Sequence, residues 1–130
     1  MLIGSFLNFS AVLAMLRTAM RSEIDVALLC AGSDGQFALE DAVCAGHYVS
    51  ALTHGIDDAT VNDAARIAAL ADHRYAGDIP RVFNESAHGR ALADAGFVED
   101  LVLCGGVDTH PVVPVYAERQ ITKLGTERGR

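Results

Sequence analysis

One segment constrains the fold of this 130-residue chain most: residues 30–41, which read CAGSDGQFALED. The segment follows an apolar run, residues 24–29, that has the length of a buried parallel strand, and it leads into a helical pattern. Gly32, Gly35 and the adjacent acids Glu40 and Asp41 are therefore predicted to lie at the carboxyl end of a strand. In an open α/β sheet, ligands bind at that edge.

This turn and its two acids suit a phosphate and a metal ion. Backbone N–H groups that lead into a helix can hold an anion, and carboxylates can hold Mg²⁺. We predict that Gly32, Ser33 and Gly35 bind the anion and that Glu40 and Asp41 hold Mg²⁺ and support catalysis. Neighbouring side chains on a helix diverge by about 100°, so one acid is expected to bind directly and the other to cap, support or face solvent.

The same residues also have a structural interpretation. Glycine, serine and aspartate are common in ordinary strand-to-helix turns. Acidic residues favour the first turn of a helix because they interact well with its dipole.

Apolar periodicity and turn residues predict alternating strands and helices along the rest of the chain. Residues 2–3 have the character of a strand end, and residues 112–116 and 121–124 that of a terminal β-hairpin. Helices are predicted over residues 9–20, 38–52, 61–73 and 81–94, with a cap for the third at 57–60, buried strands at 24–29 and 101–104, and a frayed tail at 125–130. This order predicts one α/β domain with a mixed sheet.

Composition excludes several classes of protein. The chain is 51% hydrophobic and 21% charged, which fits a globular domain with a core. No apolar run reaches the ~18 residues that span a bilayer, and the first residues lack the basic region of a secretory signal, so we expect a cytoplasmic protein. A net charge of -7 with scattered basic residues argues against nucleic acid as a partner.

The three cysteines, Cys30, Cys44 and Cys104, are too far apart in sequence for a metal knuckle or a redox pair. Cys30 could serve as a nucleophile, because a nearby helix start would lower its pKa. A cysteine phosphatase needs an arginine shortly after its cysteine, however, and none stands six residues after any of the three. We therefore predict that all three are small buried thiols.

Three further polar residues lie near predicted strand ends or helix starts, and one histidine lies within a predicted helix. Ser5 and Asn8 precede the first helix and are expected either to cap it or to contact substrate oxygens. Asp108 follows a predicted strand and is a candidate third metal ligand. His88 is expected to be a surface or hydrogen-bonded side chain rather than a general acid.

Several motifs together resemble the phosphosulfolactate phosphatase family. They appear in one order from residue 2 to residue 124: GSFLN at 4–8, CAG at 30–32 with Gly35, LED at 39–41, CAG at 44–46, SAHG at 86–89, GF at 96–97, and Cys104 with Asp108 and the VP at 113–114. The resemblance implies a three-layer α/β/α sandwich with a mixed sheet. It also implies Mg²⁺-dependent hydrolysis of 2-phospho-3-sulfolactate, a small anionic phosphomonoester, to sulfolactate and phosphate on a route to coenzyme M.

The resemblance covers the C-terminal half of that family, since family members carry a further N-terminal half before the GSFLN segment. We therefore expect a partial domain, over residues 1–130, with little activity by itself. Such a chain is expected to form a homo-oligomer or to bind a complementary N-terminal half, because an unpaired strand edge invites pairing. The alternative is a non-catalytic partial domain that associates in the same way.

Overall fold

A computed structural model describes residues 1–56 and 60–125. These residues form six α-helices and one two-stranded sheet, and a short 3-10 turn, Phe6–Asn8, precedes the first helix. The elements are α1 (Phe9–Arg21), α2 (Leu39–Thr53), α3 (Asp63–Tyr75), α4 (Ile79–Glu85), α5 (Ala87–Asp94), α6 (Val98–Cys104), β1 (Pro114–Ala117) and β2 (Gln120–Lys123). In this part of the chain, no helix has both the length and the apolar character needed to cross a membrane.

Helix α2 is the centre of the fold and packs against α1, α3 and α4. Its contact with α3 is close because Gly46 has no side chain: a Cβ atom built there would overlap the carbonyl oxygen of Ala68. Since α2 is held on several sides, its N-terminal turn, which carries Glu40 and Asp41, has a fixed position.

Two hydrophobic clusters flank α2. One centres on Val43 and also contains Phe6, Tyr75, Ile79, Val82 and Phe83. The other contains Phe9, Val12, Leu13, Tyr48 and Leu52, so α2 contributes to both. Full burial of such a side chain stabilises the fold by about 1.5–3 kcal/mol, and these clusters therefore supply the main support for the position of α2.

The C-terminal hairpin confirms the sequence prediction. Strands β1 and β2 are antiparallel, and their turn places Glu118 and Arg119 at φ values of 51° and 61°, which is the geometry of a type I′ turn. The N-terminal segment pairs with the free edge of β1: Leu2 bridges Val115, and the Ile3 N–H donates to the Pro114 oxygen at 2.9 Å. The strand character predicted for residues 2–3 is thus confirmed.

Helices α1, α2 and α3 lie close to their predicted ranges, but the predicted helix 81–94 is two helices. Asp78 caps α4, with its carboxylate 3.2 Å from the Arg81 nitrogen. The break falls at Ser86, whose backbone is extended and whose buried hydroxyl caps α5 by accepting from the Gly89 N–H at 2.8 Å. A Cβ on Gly89 would overlap the Phe83 carbonyl oxygen, so the tight corner between the two helices requires glycine.

The prediction of a buried strand at residues 101–104 is wrong. These residues end helix α6, and no residue of α6 is buried. Glu99 and Asp100 occupy its first turn, where they interact favourably with the helix dipole. A four-residue apolar run has no periodicity that separates a helix from a strand.

The prediction of a buried strand at residues 24–29 is also wrong for this structure. The segment carries neither helix nor strand, and Ile24 and Leu29 are 58% and 90% exposed. A strand exists only when a neighbour pairs with it, and this segment has no strand neighbour among the described residues. The cap predicted at residues 57–59 and the tail at 126–130 lie outside the described residues.

The mixture of helices with a C-terminal hairpin is consistent with part of an α/β domain, as predicted. Within the described ranges the sheet is the antiparallel hairpin extended by residues 2–3. The larger mixed sheet of a three-layer sandwich stays a prediction for the complete family fold.

Candidate functional site

The turn at residues 32–35 is a tight loop rather than an open cradle. Ser33 and Gln36 exchange two backbone hydrogen bonds, of 3.1 and 2.8 Å, around Asp34 and Gly35. Both central residues have positive φ, at 51° and 72°, which makes this a type I′ turn. Gly32 also has a positive φ of 73°, and a Cβ there would lie 2.6 Å from the Gln36 oxygen.

Asp41 ties this turn to helix α2. One of its carboxylate oxygens, Oδ2, accepts a hydrogen bond of 2.6 Å from the Gly32 N–H. The N–H groups of Gly32 and Ser33 were predicted to bind an anion. In the structure each of them already donates to an acceptor within the protein. Of the three predicted residues, Gly35 alone keeps a backbone N–H with no acceptor among the described residues.

Glu40 is held by a histidine from another helix. Its Oε1 lies 2.8 Å from Nδ1 of His88 in α5, and the Glu40 side chain is only 13% exposed. An ionised carboxylate can only accept a hydrogen bond, so Nδ1 is the donor in this pair. The second Glu40 oxygen, Oε2, is buried and has no partner within the described part of the chain.

His88 is the residue whose part in this site the sequence prediction missed. The prediction of a hydrogen-bonded side chain is confirmed, but its partner could not be derived from spacing. The signal that pointed to it is the SAHG motif, in which Ser86 caps α5 and Gly89 permits the corner that places His88 against α2.

Asp108 has a structural role at the other end of the chain. Its two oxygens accept from the backbone N–H and the hydroxyl of Ser10, each at 2.6 Å, so Asp108 caps helix α1. Its own N–H donates to the Phe6 oxygen at 3.0 Å. Residues 1–56 and 60–125 contain no group of three or more acidic, histidine or cysteine side chains that could hold a metal ion. The role of metal ligand predicted for Asp108 stays a prediction.

Ser5 and Asn8 form a closed hydrogen-bond network. The Asn8 oxygen accepts from the Ser5 N–H at 2.9 Å and from its hydroxyl at 3.1 Å. The Asn8 amide group donates its two hydrogens to the carbonyl oxygens of Ile3 and Val112. Asn8 thus joins the N-terminal segment to the chain before β1 and has no amide hydrogen left for a ligand. A substrate role for Ser5 stays a prediction.

The cysteines are less buried than predicted. Cys30 and Cys104 are exposed and Cys44 is partly buried, so the prediction of three buried thiols is wrong. Burial, with a smaller contribution from the Asp41 charge, raises the pKa of Cys30 and raises that of Cys44 to about 12. Both residues are therefore thiols at neutral pH, which opposes a nucleophilic role because the thiolate is the reactive form.

Comparison with known proteins matches this chain to a family described as phosphatases. A family model described as 2-phosphosulpholactate phosphatase matches residues 1–119. The chain belongs to the 2-phosphosulfolactate phosphatase family, and the resemblance inferred from its motifs is thereby confirmed.

Similar curated proteins carry the same description. A probable 2-phosphosulfolactate phosphatase of Symbiobacterium thermophilum is 36% identical over 94% of this chain and 51% of its own length. Its counterpart in Pseudothermotoga lettingae is 34% identical over 91% of this chain and 49% of its own length. The chain thus spans about half the length of the curated relatives it matches.

Proposed function

We propose that this chain carries part of an Mg²⁺-dependent phosphatase site that acts on a small anionic phosphomonoester, 2-phospho-3-sulfolactate. The products would be 3-sulfolactate and phosphate, on a route to coenzyme M. Membership of the family and the names of the relatives support the substrate. The observation that carries the proposal is the joining of the turn at residues 32–35 to the acidic start of α2 by Asp41.

The acids of α2 suit a hard cation in part. Mg²⁺ keeps several waters and usually takes only one or two protein carboxylates together with substrate phosphate oxygens. Oε2 of Glu40 is buried and has no hydrogen-bonding partner among the described residues, so it is the first candidate ligand for the ion. Asp41 would support the site rather than bind the ion directly, because its Oδ2 accepts from the Gly32 N–H, and both Asp108 oxygens accept from Ser10.

Each residue then has a defined task. Bound Mg²⁺ would neutralise phosphoryl oxygens and activate water. Asp41 holds the turn in place, and the Gly35 N–H is available to a phosphoryl oxygen, where backbone donors stabilise developing charge. His88 fixes the Glu40 carboxylate through Oε1 and so determines where Oε2 lies.

Manganese binding tests this assignment, because Mn²⁺ replaces Mg²⁺ and is visible by electron paramagnetic resonance. We expect saturable Mn²⁺ binding that weakens at least about tenfold in Glu40→Gln, since a ligand oxygen is replaced by an amide. Glu99→Gln is the matched control, because Glu99 also stands in the first turn of a helix but is exposed. Equal binding by the Glu40→Gln, Asp41→Asn and unmodified chains would refute the assignment.

A second candidate function is that of a non-catalytic partial domain that associates with itself or another chain. The observation in its favour is the number of exposed apolar side chains, among them Leu29, Phe37 and Val102 at 90%, 78% and 74% exposure. Exposed apolar patches mark association surfaces. Metal binding that survives the Glu40 and Asp41 substitutions, together with stable oligomers in light scattering, would favour this function over the enzyme.

A further inference from the structure

The backbone of residues 25–31 has no hydrogen-bonding partner among residues 1–56 and 60–125. From Asp25 to Ala31, no N–H or carbonyl group makes a hydrogen bond to any described residue; the flanking groups do, since Ile24 donates to Ala19 and Gly32 to Asp41. Within the described ranges, no backbone group pairs with either side of the segment. Backbone polar groups that are to be buried require partners, and a neighbouring strand supplies them in regular order.

The side chains of this segment alternate as those of a strand do. Val26 and Leu28 are partly buried and pack against the cluster between α1 and α2. Ala27 and Leu29 are exposed and, at a period of two, lie on the opposite face. From Val26 to Leu29 both faces are apolar, with Asp25 at the start of the segment. An apolar run on both faces is typical of a parallel strand covered from two sides.

An apolar groove of about 870 Å³ runs beside the segment. Its lining includes Met20, Ile24, Val26, Leu28, Val49 and Leu52. These side chains come from the end of α1, the segment itself and α2, and Ala64, Ala65 and Ala68 of α3 complete the lining, so the groove lies between the segment and the helices.

We infer that residues 25–31 are a receptor strand, and that its occupant is a strand from the half of the family fold that this chain does not cover. The covered half corresponds to about 50% of each relative, so a second half of similar size exists in those proteins. This inference rests on family membership and on the open backbone. It is independent of metal binding or turnover.

A second copy of this chain is the less suitable occupant. Identical strands paired about a two-fold axis must run antiparallel. The turn and helix that follow the segment, and the continuous apolar sequence of residues 26–31, are instead typical of parallel sheets. Pairing with a parallel strand would also place the turn at residues 32–35 at the carboxyl edge of a sheet.

The test uses the full 130-residue chain and a separately produced polypeptide comprising the half of the Symbiobacterium thermophilum relative that this chain does not cover. We expect a one-to-one complex in analytical ultracentrifugation at micromolar concentration. In hydrogen exchange measured by mass spectrometry, the amides of residues 25–31 should become protected by about tenfold or more on mixing.

Leu29→Lys should weaken the complex at least about tenfold, since it puts a charge on the face to be buried, and should leave the melting temperature of the free chain unchanged. Val102→Lys is the matched control, because Val102 is 74% exposed on α6, which packs against α4 and α5. The absence of a complex, a complex that leaves residues 25–31 unprotected, or equal weakening by both variants would overturn the proposal. So would self-association that Leu29→Lys abolishes, which would make a second copy the occupant.

Discussion

The carboxylate of Asp41 accepts a hydrogen bond of 2.6 Å from the backbone N–H of Gly32, nine residues earlier. This bond closes the loop between the segment at 25–31 and helix α2. Because the Gly32 N–H already donates to Asp41, it is not free to bind a ligand. Asp41 instead holds the turn in its conformation.

Loss of this bond should loosen the turn. We expect Asp41→Ala to lower the free energy of unfolding by about 1–2 kcal/mol, since a backbone donor near a helix start loses a charged acceptor. The Gly32 amide should exchange with solvent markedly faster. Urea unfolding and hydrogen exchange measure the two effects. Asp34→Asn, a change within the same turn that keeps tolerance of positive φ, should alter neither, and equal effects of the two variants would contradict this role.

The Glu40–His88 pair should contribute to the docking of α5 on α2. We expect His88→Ala to destabilise the chain by about 1 kcal/mol, because it leaves both oxygens of a largely buried carboxylate without a partner. In Glu40→Gln the further loss on removing His88 should be smaller, and a double-mutant cycle in urea measures the difference. His73→Ala, at an exposed histidine on α3, is the control. Strict additivity of the two changes would show that the pair has no energetic coupling.

Asp108 should stabilise α1 and have no part in metal binding. Asp108→Asn removes the charge that accepts from Ser10 and keeps a residue that tolerates the φ of 57°. We expect a loss of about 1 kcal/mol in the free energy of unfolding, as for other helix caps, and unchanged Mn²⁺ affinity. Weaker Mn²⁺ binding in this variant, without loss of stability, would restore the metal-ligand interpretation drawn from the sequence.

Cys44 should make stability fall at alkaline pH. Its pKa is raised by burial from an ordinary 9.0 to about 12 in the folded chain. Between pH 9 and 12 the thiol keeps its proton in the folded chain and loses it in the unfolded chain. The contribution of Cys44 to the free energy of unfolding is therefore complete below pH 9 and declines as pH rises toward 12. Cys44→Ala should show a shallower alkaline decline than Cys104→Ala, in which the exposed thiol is removed instead. Parallel curves for the two variants would contradict the assignment.

The sequence predicted those elements whose signals are local. Helix α2 and the terminal hairpin carry periodicity and turn residues within their own length, and both form close to the predicted residues. Residues 24–29 and 101–104 are short apolar runs, and a short run takes its conformation from its neighbours. In this chain the first lacks a strand partner and the second follows two acids that favour a helix start.

The sequence predicted several residues of the candidate site, but it did not predict which side chains contact one another. The sequence brought Gly32 and Asp41 into one site, and the structure joins them by a hydrogen bond. It could not show that His88 comes from 48 residues away to hold Glu40, or that Asp108 caps α1. Contacts between distant residues depend on how helices pack, which no spacing in the sequence encodes.

Phosphate release from 2-phospho-3-sulfolactate, with Mg²⁺ present, is the most direct test of the proposed partial site. The loss of a single group that stabilises the transition state typically costs about 10²- to 10³-fold in rate. We expect very slow release by the 130-residue chain alone. Addition of the complementary half of a relative should restore release that EDTA abolishes and Glu40→Gln strongly reduces, measured against that half by itself and against Glu99→Gln. Rapid, EDTA-sensitive release by the short chain alone would contradict the account, as would an assembled complex that releases no phosphate.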